Sequence, residues 1–490
     1  MGLQMNRIAL MVVLFTAVLC KAQVFDMVVS AYYPDAYTSL QSAINHIPDY
    51  STEPYRVFIT NGIYNEKVYL PASKTHVCLI GESAEGVIIT YNDYSGKDGI
   101  TTATSYTFLA EGADLYAENI TFQNSAGNIA QAVAIRTTGD RQVFKNCRFI
   151  GFQDTYYAHK NRQYNLNCHV EGATDFIFGD ATAVFDSCTI NCVKGGQYIT
   201  APSDTKLTSV KTDGTTFYHG LQFRRSWITC NDDVPSAGYY LGRPWQPNAS
   251  AVYIRCILDD HIKPAGWSVW SGTDNHLSGF YGEFQSRSAG GELIDTISRA
   301  AWSHQIRTED TAYYALRYFF RKQDVEWDPV PKTVAFHVPV NLSFDGNQLA
   351  WQADGPEGTG FVVIRNDSVI GFSDTTFYND STVDMLRTSI YKVKSVATYG
   401  NLSMPSEEFV LATSAVRKMK GVRPSFLIHL WTDMISFSEA VNVTIYNIAG
   451  VPVLQQKHTS GLLLSDLSEG MYILHAENAS GQKILQKISR

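Results

Sequence analysis

The sequence predicts an all-β protein in which a right-handed parallel β-helix is followed by two small β-sandwich domains. Three observations predict it. Short strand-like segments with a shared local grammar recur at intervals of 21 and 20 residues, the size of one coil of a β-solenoid. Beyond about residue 325 this grammar gives way to alternating strands punctuated by Gly and Pro, as in a sandwich. A further β-rich stretch then follows a basic linker. At 490 residues, with 45% hydrophobic and 18% charged side chains, the chain is a soluble globular composition too long for a single core.

Residues 1–22 form the first element. Asn6-Arg7 precede an apolar run from Ile8 to Leu19, and the small residues Cys20 and Ala22 bracket Lys21. This pattern reads as a cleaved secretory signal peptide. The run falls short of the ~20 residues needed to span a bilayer, and bulky Leu19 before Cys20 argues against a lipoprotein. No later segment is long and apolar enough to cross, so a transmembrane protein is not expected.

The second element, 23–328, carries the repeats. Glu118-Asn119-Ile120-Thr121-Phe122, Lys145-Asn146-Cys147-Arg148-Phe149, Leu166-Asn167-Cys168-His169-Val170 and Asp186-Ser187-Cys188-Thr189-Ile190 each place a small residue before an alternating strand. Stacked coil on coil, Cys147, Cys168 and Cys188 form an internal ladder. Cys78, Cys192, Cys230 and Cys256 complete an odd set of mostly free, buried thiols, with Cys188 and Cys192 the first pair to consider if a disulfide forms. No Cys or His spacing suits zinc, and neither metal nor cofactor is expected.

The third element, 329–414, alternates in Asn347-Gln348-Leu349-Ala350-Trp351, Phe361 to Arg365 and Tyr391 to Val396. The spacing of Trp351 and Tyr391 resembles a fibronectin type III module, with both aromatics in its core and a spacer as its expected role. Arg417-Lys418-Met419-Lys420 opens the fourth element, 415–490, where Val443 to Asn447, Met471 to Leu474 and Lys483 to Arg490 read as strands. That stretch resembles the C-terminal sorting domain of the type IX secretion system of Bacteroidetes; an ordinary small sandwich is the alternative. The resemblance implies the type IX machinery as a partner. It also implies a route through the periplasm and outer membrane to secretion or cell-surface attachment.

A net charge of -8 excludes a generic nucleic-acid binder. It does not exclude an acidic substrate, because Arg136, Arg141, Lys145, Arg148, Lys160 and Arg162 outnumber the acids around the candidate site; solvated turn charges are the alternative reading. The candidate site itself comes from spacing. Gln131 and Gln153 lie 22 residues apart, and Asp154 and Asp175 lie 21 apart, so each polar residue falls one coil from the next. Adjacent parallel strands are about 4.8 Å apart, which stacks these dispersed residues on one face. Two carboxyls that close cannot both ionise easily, so one stays protonated as an acid beside a nucleophile. Arg243 is the candidate to keep the other ionised, and the two primary amides offer N–H donors for an oxyanion.

The segments bearing these residues are Gln131 to Arg136, Gly151-Phe152-Gln153-Asp154-Thr155-Tyr156-Tyr157, Gly172 to Gly179 and Leu241-Gly242-Arg243-Pro244-Trp245. With Gly62 to Glu66 and Pro264 to Trp270 they resemble the signature motifs of the pectin methylesterase family, carbohydrate esterase family 8, from about 30 to 325. The resemblance implies Asp175 as nucleophile, Asp154 as general acid then base, and Gln131 and Gln153 as oxyanion donors. Arg243 would hold Asp175, while Trp245, Tyr157, Phe176 and Trp270 would line subsites for a pectin (homogalacturonan) substrate. The implied reaction is hydrolysis of methyl esters through an aspartyl acyl-enzyme. Tyr156 and Thr174 stand where many members carry Leu and Val, and the segment from Ser203 to His219 is long and polar, which leaves substrate preference open.

A monomer is expected, and of three rival readings the first is discounted. A Ser-His-Asp esterase lacks its Gly-x-Ser-x-Gly, which Gly81 to Gly86 misses by one residue. A glycosidase on the same fold also uses paired carboxylates, whereas a polysaccharide lyase would need a calcium-binding acidic cluster and a basic residue as its base and would give the paired amides no task. A non-catalytic surface glycan-binding solenoid would not depend on Asp175.

Overall fold

The computed structural model describes residues 24–489 apart from 324, 336, 354–357, 413–427, 431–433, 448–450, 465, 466 and 469. The signal peptide expected over 1–22 and the basic linker Arg417 to Lys420 lie outside the described residues. Most strands before residue 306 belong to three parallel sheets of eleven, nine and seven strands. Each coil places one strand in each sheet. Gln142–Lys145, Arg148–Ile150 and Tyr156–Ala158 make one coil, Arg162–Leu166, His169–Gly172 and Thr174–Gly179 the next. All three strands of the first coil pair in parallel with their successors in the second. This is a parallel β-helix, as the 20- and 21-residue repeats predict.

The repeated small residue has a backbone cause. Asn119, Asn146, Asn167 and Ser187 close a strand of the first sheet with φ of 58°, 52°, 52° and 55°, turning the chain into the second sheet. Asn tolerates this left-handed conformation better than most side chains do. In later coils Arg225 and Arg255 take the same position with φ of 51° each, and there the grammar is no longer legible.

Inside the coils, like side chains stack. Phe185, Phe223 and Tyr253 follow one another at 4.9 and 4.5 Å between ring centroids, their planes nearly parallel. Cys147, Cys168 and Cys188 form the expected ladder, each buried, with Sγ facing the carbonyl oxygens of Ala117, Phe144 and Asn165 respectively. The seven cysteines of the described residues are free, Cys188 and Cys192 included. Cys192 is level instead with Cys230 on the neighbouring strand.

The first sheet is buried on both faces. Its outer face presents Phe58, Cys78, Ile80, Tyr116, Val143, Tyr164 and Val184, over which pack Phe319, Phe320 and Trp327 from the chain that leaves the helix. Val362, Val369, Val396 and Leu402 of the following sandwich-like region join the same core. There Gly360–Arg365 pairs antiparallel with Ser368–Ser373 on one side and with residues Tyr391 to Val396 on the other, and Trp351 and Tyr391 are buried. Phe372 sits 5.1 Å from Phe25 and 5.0 Å from Phe58 between ring centroids. The region is thus a cover for the first sheet rather than the spacer expected from sequence, because the apolar outer face it buries would otherwise meet water.

The described residues divide into two compact units, the second comprising Thr382–Ile390 and Val410–Arg490. Met434–Asn447 is its long central strand, pairing antiparallel with Ile428–Leu430, Pro452–Leu463 and Met471–Asn478 around Ile435, Ile445, Leu474 and Ala476. No helix among the described residues is long and apolar enough to cross a membrane.

Candidate active site

The outer face of the seven-stranded sheet carries a cleft of about 690 Å³. Gln131, Gln153, Asp154, Asp175 and Arg243 all line it, although their sequence positions span more than a hundred residues. The hydrogen-bond ladder brings them together. Gln153 bridges Thr174, and the Asp154 N–H donates to the Thr174 carbonyl at 3.1 Å, so Asp154 and Asp175 sit level on successive coils. Ala132 donates to the Gln153 carbonyl at 3.0 Å, the same bond pattern one coil earlier, which sets Gln131 beside Gln153 on the cleft.

Both carboxylates stand on left-handed backbone, φ 65° at Asp154 and 50° at Asp175, a conformation Asp accepts more readily than most residues. Burial is deep, at 8% and 5% exposure. Arg243 grips Asp175 with both arms of its fork, Nε to Oδ1 at 2.9 Å and Nη2 to Oδ2 at 2.6 Å. Burial raises the Asp175 pKa, and the Arg243 hydrogen bonds and charge oppose that rise. Asp154 goes well above the usual carboxylate range, first through burial and then through the charge on Asp175. The two acids are therefore inequivalent: Asp175 gives up its proton first, and Asp154 keeps its own to higher pH.

Neither Gln131 nor Gln153 spends its side-chain amide on a partner among the described residues, so both keep N–H groups free toward the cleft. The walls are aromatic. Tyr157 stacks on Phe178 at 4.2 Å and Phe178 meets Trp245 edge-on at 6.0 Å. Trp245 is fixed by its backbone, N–H to the Pro202 carbonyl at 3.1 Å and its own carbonyl accepting from Asn275 at 3.1 Å.

The opposite wall is the segment between strands Val87–Tyr91 and Phe108–Ala110, of which Ser95, Gly96 and Ile100 to Ala103 face the cleft. Asn124 anchors it from beneath. Its buried Nδ2 donates to the carbonyls of Asp93, Ser105 and Val133 at 2.9, 3.1 and 3.1 Å, tying the wall to the chain just after Gln131. Lys67 and Lys97 add ion pairs to Asp93 at 2.6 and 3.0 Å. Sequence reasoning missed these wall residues because no spacing or motif sets them apart.

Of the expected subsite residues, Trp245, Tyr157 and Trp270 line the cleft, but Phe176 does not. Phe176 is fully buried inside the coil, where it packs with Ile177. The left-handed turn at Asp175 and the register shift between Thr174 and Ile177 break the alternation of the strand, and Phe178 takes the outward position instead. Trp270 also packs on Arg243, 4.2 Å from the guanidinium to the ring centroid. None of the six basic residues around the site lines the cleft. Arg141, Arg162 and Lys145 are committed to ion pairs with Asp114, Asp140 and Glu118. Arg136 donates to the Ala103 carbonyl at 2.8 Å and to His159 Nδ1 at 2.9 Å, where burial first and the Arg136 charge second push the imidazole down to about 4.

A family model described as Pectinesterase matches residues 26–323, and one described as Secretion system C-terminal sorting domain matches 432–489. Pectinesterase 31 of Arabidopsis thaliana is 36% identical over 303 residues, covering 59% of this chain and 91% of that protein. Probable pectinesterase/pectinesterase inhibitor 32 of the same plant is also 36% identical, over 276 residues; the match covers 55% of this chain and 51% of the relative, so the chain spans about half of that protein's length. Among solved structures, pectin methylesterase from carrot superposes with a TM-score of 0.55 at 31% identity, covering 60% of this chain and 93% of that one.

Proposed function

The chain belongs to the pectinesterase family, and we propose that it hydrolyses the methyl esters of pectin to pectate and methanol through an acyl intermediate on Asp175. The observation that carries this reading is the inequality of the two buried acids, one held by Arg243 and the other left to keep its proton. Ionised Asp175 attacks the ester carbonyl carbon, and the carbonyl oxygen becomes an oxyanion within reach of the Gln131 and Gln153 amides. As the intermediate collapses, Asp154 gives its proton to the departing methoxide, and methanol leaves an anhydride on Asp175. Asp154 is now ionised and takes a proton from water as that water attacks the anhydride. The galacturonate product departs, Asp175 is again a carboxylate and Asp154 again an acid. Trp245, Tyr157 and Trp270 offer faces against which sugar rings can pack.

The C-terminal sorting domain supports secretion or attachment at the surface of a Bacteroidetes-like bacterium by the type IX system. Passage through the periplasm, a monomeric enzyme, and division into 1–22, 23–328, 329–414 and 415–490 belong to the same proposal.

The test is methanol release from highly methylated homogalacturonan by wild type and Asp175→Ala side by side. Methanol with no loss of polymer length, abolished in the variant while it stays folded, supports the reading. Chain scission or an unsaturated product would replace it with a glycosidase or lyase. An unaffected Asp175→Ala would point to a protein that binds glycans without turning them over.

A further inference from the structure

We propose that Tyr198 is a positioning residue for the ester-hydrolysing pair: its ring holds the plane of the Arg243 guanidinium so that both arms of the fork meet Asp175. The inference rests on the role given to Asp175 above. Tyr198 follows Thr174 by one coil and pairs with it in register, which puts it beside Asp175. The Arg243 guanidinium carbon lies 3.8 Å from the Tyr198 ring centroid and 4.2 Å from that of Trp270, so Arg243 is sandwiched between two aromatic rings. Behind Tyr198, Tyr240 stacks on it at 5.6 Å and 10°, and the Lys263 Nζ stands 5.1 Å from the Tyr240 ring. Lys263, the stacked pair Tyr240 and Tyr198, Arg243 and Trp270 thus form one continuous run of packed cations and rings.

The physical reason lies in the guanidinium itself. Its N–H groups point outward in one plane, and its two flat faces hydrogen-bond poorly but pack well on aromatic rings. With both faces covered, rotation out of that plane loses contact on both sides, while the edge stays free for the two bonds to Asp175. The two rings differ in one respect that makes the idea testable. Trp270 lines the cleft, so changing it also changes the surface offered to substrate, whereas Tyr198 does not line the cleft. The Tyr198 hydroxyl makes no hydrogen bond among the described residues, so only the ring is at issue.

The experiment measures kcat and KM against pH for wild type, Tyr198→Phe, Tyr198→Leu and Tyr198→Ala, with melting temperatures for each. Tyr198→Phe should match wild type. Tyr198→Leu keeps bulk without a π face, and with Tyr198→Ala it should lose roughly 10-fold in kcat, the scale of one cation–π contact in a desolvated site, with KM little changed. Sign matters for the pH profile. Arg243 opposes the upward shift of Asp175, so a loosened Arg243 lets that pKa climb and the acid limb of kcat moves to higher pH. The inference is overturned if Tyr198→Leu behaves as wild type, if Tyr198→Phe is as impaired as Tyr198→Leu, or if kcat falls with the acid limb unmoved. Should Tyr198→Ala fail to fold, Tyr198→Leu carries the test. Asp175→Asn is measured in parallel: activity there would remove the reading of Asp175 itself, whereas an inactive Asp175→Asn beside an unaltered Tyr198→Leu would remove only the role of Tyr198.

Discussion

Asp175 receives two hydrogen bonds from Arg243, a residue 68 positions away in sequence, while the Asp154 carboxyl one coil back receives none among the described residues. Replacing the fork by a single point charge should expose what the second bond contributes. Arg243→Lys retains the charge but not the bidentate geometry, and about 10- to 100-fold in kcat is the expected loss. Steady-state assays on methylated homogalacturonan read it directly, and an unaltered kcat would show that charge alone suffices.

The two acids set opposite limbs of the pH profile. The proposed mechanism needs Asp175 ionised and Asp154 protonated, so activity should rise as pH climbs through the Asp175 pKa and fall again through that of Asp154. Because Asp154 lies well above the ordinary carboxylate range, the bell should extend upward beyond the pH at which free carboxylic acids have fully ionised. A profile lacking the alkaline fall would show that the Asp154 proton is not required.

Asp154 should also be costly to stability. Its folded pKa is raised, so the folded state binds this proton more tightly than the unfolded chain does, and stability is lost as pH rises from the unfolded pKa through the folded one. Asp154→Asn removes the titration. Urea melts at several pH values should find the variant inactive yet increasingly more stable than wild type as pH increases.

Gln153 presents a free amide to the cleft beside Asp154. Gln153→Ala should reduce kcat by roughly 100-fold or more, as when other oxyanion donors are removed, with KM changed far less. A loss confined to KM would assign Gln153 to ground-state binding instead.

The sandwich-like region should stabilise the catalytic fold without touching its chemistry. Phe372→Ala removes the ring packed against both Phe25 and Phe58, and about 3 kcal/mol of stability should go with it while kcat on the folded fraction is unchanged. Denaturant melts with activity followed in parallel decide this; an unchanged midpoint would return the region to the status of a spacer.

How much of this was legible in the sequence depended on whether backbone conformation left a mark on residue choice. Asn119, Asn146, Asn167 and Ser187 sit at left-handed turns that favour such residues, so the coil length was legible, and from it the alignment of Asp154 with Asp175. Phe176 was misplaced because Asp175 itself adopts that conformation inside a strand and disrupts the alternation on which the inference depended. Tyr198 escaped notice because the chain between strands Thr189–Cys192 and Tyr198–Pro202 lengthens its coil, so spacing no longer announces which residue stands beside Asp175. The cover over the first sheet did leave a signal. Val77–Gly81 is buried at every position, and an unbroken apolar strand belongs to a sheet packed on both faces.

The parallel ladder that sets Gln153 against Thr174 has a further consequence. The separation between Asp154 and Asp175 is one rung of a hydrogen-bonded lattice, so it admits whole steps and no intermediate values. An insertion within a coil must bulge outward at a turn or shift everything beyond it by a full strand register. Change in length is therefore directed away from the two acids and into the connecting segments, such as the wall held by Asn124. The spacing of the two acids can thus be kept intact while the groove around them is recut.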